Sequence, residues 1–127
     1  MDAVNPTPAQ REFLNALMRE TSKHARETNR ADFSFNRPDS GRYFCAYSTS
    51  TKRRGHGETI FCFERTKEGL FMHIPDHVPE PKNLSRPWKR KPEQRVSEIL
   101  IDEEPNRERQ SYLIKLAKDC IDYYYNP

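Results

Sequence analysis

Three short apolar runs follow one another closely in the middle of the chain: Arg42 to Thr49 (RYFCAYST), Thr59 to Thr66 (TIFCFERT) and Gly69 to Pro75 (GLFMHIP). Each is rich in aromatic and β-branched residues and bounded by turn residues, which dictates antiparallel strands. The link Lys67-Glu68-Gly69 is of hairpin length and offers a glycine for a positive φ, so the second and third runs pair. Phe61 and Phe63 alternate against Ile60 and Cys62, and Leu70, Met72 and Ile74 alternate against Phe71. Bulky groups on both sides of these strands predict one face packed on helices and the other partly covered.

Helical periodicity brackets this region. Thr7 before Pro8 has the form of an N-cap with proline at the first helical position. Phe13, Leu14, Leu17, Met18 and Ala25 then recur on one side of a helix over residues 8–28, and the other side is of mixed charge. Residues 29–41 read as a turn-rich connector interrupted by Phe33 and Phe35, with room for a short strand. Four prolines, Pro79, Pro81, Pro87 and Pro92, exclude regular structure through the whole of 76–95 and predict a long loop. Val96 to Ile101 supplies a fourth strand, with Val96, Glu98 and Leu100 on one side and Ser97, Ile99 and Ile101 on the other. Pro105 opens a last helix whose apolar face holds Tyr112, Leu113, Leu116, Ala117, Cys120, Ile121 and Tyr124. The expected architecture is a single α+β domain, with a four-stranded, mainly antiparallel sheet carrying N-terminal and C-terminal helices packed on it.

With 127 residues of which 34% are hydrophobic, the chain has material for one core. No apolar run is long enough to cross a membrane, and MDAVNPTPAQ has neither a basic start nor an apolar stretch, so a soluble, cytoplasmic protein without a membrane partner is expected. Cys45, Cys62 and Cys120 are odd in number and without a CxxC pair, which fits thiols in a reducing compartment.

A net charge of +3 is too mild to name a partner, so local distribution has to decide. Lys82, Arg86, Lys89, Arg90 and Lys91 crowd one ten-residue segment (KNLSRPWKRK) with no acid and with the single tryptophan, Trp88. Cations that neutralise phosphates beside a flat ring that stacks a base suit single-stranded nucleic acid. Lys52, Arg53 and Arg54 extend the set from the loop before the second strand, where Gly55 and Gly57 let the backbone come close to a phosphate. The plainer reading makes the basic loop a solubility feature and Trp88 a cover for the core edge. The expected function is a non-enzymatic binding module for nucleic acid or an acidic protein surface, using these nine residues.

Other chemistry fits less well. His73 and His77 have a spacing that would pair two ligands on a helix, but Pro75 lies between them and no further donors flank them, so no metal or other cofactor is expected. His24 reads as a helix-surface residue, His56 as a loop residue, and Cys45 and Cys62 as core. Pro38-Asp39 followed by Glu64 and Lys67 resembles the carboxylate and lysine motif of metal-dependent nucleases, yet the ExxK spacing sets Glu64 and Lys67 on opposite strand faces. Ser48, Ser50 and Ser85 lack the glycine context of a nucleophile elbow. Tyr43, Tyr47 and the run Tyr123-Tyr124-Tyr125 offer an aromatic surface for a protein partner or a homodimer, since three consecutive helical positions cannot all face one core.

Trp88, the strand at 96–102, Pro105 and the closing helix from Leu113 to Tyr123 resemble, over about a third of the chain, the MmcQ/YjbR-type small α+β domains. That resemblance implies an antiparallel sheet against terminal helices and a DNA-binding-like role without a defined catalytic centre.

Overall fold

The computed structural model describes residues 5–35, 43–53, 56–75, 89–91 and 96–126, with the backbone path alone for 43, 50–53, 56–58 and 89–91. The element order is α1 (Pro8–Glu27), β1 (Phe33–Phe35), β2 (Tyr43–Arg53), β3 (His56–Thr66), β4 (Gly69–Pro75), β5 (Lys89–Lys91), β6 (Val96–Leu100) and α2 (Arg107–Tyr125). The strands form one sheet in the order β1-β2-β3-β4-β6-β5, and every neighbouring pair is antiparallel. The α+β class is as expected. The sheet is wider than four strands, because three-residue β1 and β5 flank the longer strands at its two edges.

Thr7 caps α1 through a reciprocal pair of bonds: Gln10 N donates to the Thr7 hydroxyl, and Thr7 N donates to Gln10 Oε1. Gln10 is nevertheless buried, because its amide also donates to the carbonyls of Ile101 and Asp102 and ties the start of α1 to the approach to α2. The second helix begins at Arg107, two residues later than expected. Asn106 caps α2 by accepting from Arg109 N, so Pro105 precedes the cap.

Residues paired across an antiparallel ladder share a face. Phe44, Phe63, Met72 and Ile99 stand in register across four strands and are all buried. They meet Phe13, Leu14 and Leu17 of α1 and Leu113, Leu116, Ala117, Cys120 and Ile121 of α2 in one core. Both helices therefore lie on one side of the sheet. They run in the same direction, since Thr7 near the start of α1 bonds the Glu103 carbonyl before α2, and His24 near its end lies 2.7 Å from Asp122 near the end of α2.

The β3–β4 turn requires its glycine. Gly69 has φ +142°, and a side chain there would also press on Leu100 Cδ1. A register shift between Ala46 and Tyr47 explains why consecutive Ile60 and Phe61 are both buried, which strict alternation does not allow.

Candidate functional site

Among the described residues, the basic candidates Lys52, Arg53, Lys89, Arg90 and Lys91 fall on strands rather than in loops. Lys52 and Arg53 belong to β2, paired with Gly57 and His56 of β3, so His56 also lies in a strand. Lys89, Arg90 and Lys91 form β5, paired with Glu98, Ser97 and Val96. The backbone of 89–91 adopts this ladder although prolines flank it at 87 and 92, because an edge strand needs partners on one side only. Arg54, Lys82, Arg86 and Trp88 lie outside the described residues, as do Asp39 and His77.

Register fixes where the two basic segments stand. Lys91 is level with Val96 and Pro75, at the end of the sheet opposite the β3–β4 turn. Lys52 and Arg53 lie toward the same end, beyond the reach of β4, because Cys62 already pairs with His73 and β4 stops at Pro75. From β2 to β5 is four strand spacings, about 19 Å at about 4.8 Å each. The other end of the sheet is acidic. There Glu68, Asp102, Glu103 and Glu104, with Arg65 among them, line a cavity of about 470 Å³ bordered by Gln10 and Leu100.

The face turned away from the helices carries groups that the sequence reading treats as core or dismisses. Cys45, Cys62, His73 and Glu98 stand in register across β2, β3, β4 and β6. His73 lies between two carboxylates, its Nε2 3.3 Å from Glu98 and its Nδ1 3.6 Å from Glu64. All three side chains are mostly covered, at 12% exposure for His73 and 15% for each glutamate. His73 thus faces one carboxylate from each neighbouring strand. Among the described residues no group of three or more His, Cys, Asp or Glu side chains is arranged to hold a metal ion. Glu64 is thus engaged with His73, and Lys67 stands in the exposed β3–β4 turn. The signal for this row was in the sequence as Cys45, Cys62, His73 and Glu98 at equivalent strand positions, but it needs the register to be seen.

The C-terminal tyrosines are partly committed to the fold. Tyr123, Tyr124 and Tyr125 are each half-buried and pack against the core, with Tyr124 and Tyr125 edge to face at 4.9 Å. Tyr125 also lies under Arg30, whose guanidinium carbon is 4.6 Å from the ring centroid. Among the described residues Leu100, 43% exposed, is the large hydrophobic side chain left open. No helix among them is long and apolar enough to cross a membrane.

Comparison with protein-family models, curated proteins and solved structures finds no match to this chain.

Proposed function

We propose that this chain binds single-stranded nucleic acid along one end of its sheet, through Lys52 and Arg53 of β2 and Lys89, Arg90 and Lys91 of β5, joined by Arg54, Lys82 and Arg86, which adjoin these segments in the sequence. The observation that carries the proposal is the convergence of Lys52–Arg53 and Lys89–Lys91 on the same end of the sheet from opposite halves of the sequence. Across the sheet they are about 19 Å apart, which, before the added offset along the strands, already spans about five or six phosphates at about 3.4 Å per stacked nucleotide. The acids gathered at the far end give the sheet a charge polarity that favours approach of a polyanion from the basic end. Trp88, two residues from Arg90 in sequence, is assigned the stacking role. The resemblance of the second half to MmcQ/YjbR-type domains implies the same class of ligand and no catalytic centre.

The competing reading is that cations on an edge strand only prevent sheets from pairing edge to edge. Mobility shift with single-stranded DNA and RNA at low and high salt separates the two. Binding should weaken steeply with salt, and the triple variant Lys89→Ala, Arg90→Ala, Lys91→Ala should lose it while remaining folded, with a salt slope smaller by about 0.7 for each phosphate contact removed. Undiminished binding by that variant, or no binding by the native chain at low salt, rejects the proposal.

A further inference from the structure

The helix-free face holds a pair of thiols that the basic surface does not use. We propose that Cys45 and Cys62 form a dithiol–disulfide couple that a peroxide oxidises within a single chain. The inference is independent of the nucleic-acid reading.

Cys45 on β2 and Cys62 on β3 are directly opposed in the ladder. Opposed residues of an antiparallel pair have Cα atoms about 4.5–5.5 Å apart, within the range of about 4.4–6.8 Å that a disulfide spans. They share a face, so their sulfurs are neighbours, and the Cys62 thiol donates a hydrogen bond to the Cys45 sulfur. Both residues are half-buried, which admits a small oxidant. Cys120 differs on both counts, being 1% exposed within the helix–sheet core and on a different element.

The two sulfurs are not equivalent. The hydrogen bond from Cys62 holds the Cys45 thiol below the usual thiol range, against the opposing effect of burial. The same bond, burial, and the charges of Cys45 and Glu64 push the Cys62 thiol up. Cys45 is therefore the attacking thiolate and Cys62 the resolving thiol. The Cys45 sulfur attacks one oxygen of hydrogen peroxide, the O–O bond breaks, and the departing hydroxide takes a proton and leaves as water. The Cys62 sulfur then attacks the Cys45 sulfenic acid. The S–S bond forms, the S–O bond breaks, and the hydroxyl departs with the Cys62 proton as a second water. Peroxide gains two electrons and the thiols lose two. Directly opposed Cβ atoms are about 4.5–5.5 Å apart, wider than the about 3.5–4.5 Å of a relaxed disulfide, so the bridge is strained and easily reduced again by small thiols.

The test treats the full chain with hydrogen peroxide, blocks remaining thiols with N-ethylmaleimide and identifies tryptic peptides by mass. The expected result is a Cys45–Cys62 crosslinked peptide in monomeric protein, with maleimide uptake under denaturing conditions falling from three thiols to one and restored by dithiothreitol. In Cys62→Ser, Cys45 should accumulate as a sulfenic acid trapped by dimedone. In Cys45→Ser, Cys62 should stay alkylatable at the same peroxide dose. Disulfides found only between chains, Cys45 driven to the sulfinic acid without a crosslink, or Cys62 oxidised equally in Cys45→Ser would each overturn the proposal. Should a serine variant fail to fold, the native chain's crosslink decides alone.

Discussion

Tyr125 shows how one side chain near a chain end can be fixed by its surroundings. Its ring lies beneath the Arg30 guanidinium, and its hydroxyl is covered close to Asp32, whose carboxylate accepts a 2.5 Å hydrogen bond from Ser48. Burial, and then the neighbouring Asp32 carboxylate, push the Tyr125 phenol up to about 12. The folded state thus prefers the neutral phenol. Its contribution is complete below the ordinary tyrosine value of about 10 and is lost as pH rises through about 12. Tyr125→Phe should therefore lose less stability than the native chain between those two pH values, which urea midpoints measured across that window will read. At this scale the sequence was partly legible. Phe13, Leu14 and Leu17 stood out by spacing, whereas Gln10 and Thr21 look like solvent-facing polar residues and are buried. Gln10 is satisfied by carbonyls 91 and 92 residues away, and Thr21 by the Leu17 carbonyl one helical turn back. Partners so distant in sequence leave no local trace of burial.

Among the elements, α1 depends on its cap more than on its propensity. The Thr7 hydroxyl accepts from Gln10 N and donates to the Glu103 carbonyl at 2.6 Å, so it starts one helix and anchors the approach to the other. Thr7→Ala should cost about 1–2 kcal/mol, toward the upper end of measured cap substitutions, read as a lowered denaturation midpoint with an unchanged slope. The elements that followed from pattern were those with a strong period: α1, α2 and the four longer strands, whose alternating residues became the two faces of the sheet. Of the three-residue strands, β1 formed in the 29–41 connector where a short strand was expected, and β5 did not follow from pattern. Lys89-Arg90-Lys91 has no β-favouring side chain, and its strand exists because β6 presents an unpaired edge to it. The basic candidates were recognisable as residue types, while their placement at one end of the sheet depended on register. The thiol row was missed for the same reason, since Cys45 and Cys62 are indistinguishable from core residues until the partner strand is known.

At the scale of the molecule, one core holds both helices to one side of the sheet. The strand pair β2–β3 breaks this unity. Lys52 and Arg53 pair with Gly57 and His56 and, among the described residues, with no other strand, after a register shift between Ser48 and Lys52 that interrupts the ladder. Phe44 to Ala46 of β2, by contrast, is sandwiched between β1 or the core helices and β3. The outer segment of this pair is therefore expected to open independently of the rest. Amide deuterium uptake should be fast at Lys52, Arg53 and Gly57 and slow at Phe44, Phe63 and Met72, as followed by NMR or by mass spectrometry of peptides. Equal protection along the whole of β2 would contradict it. An arm that opens on its own can adjust its backbone to an irregular surface while the rest of the molecule stays shut, so fitting a contour and keeping the fold are separate thermodynamic events in this chain.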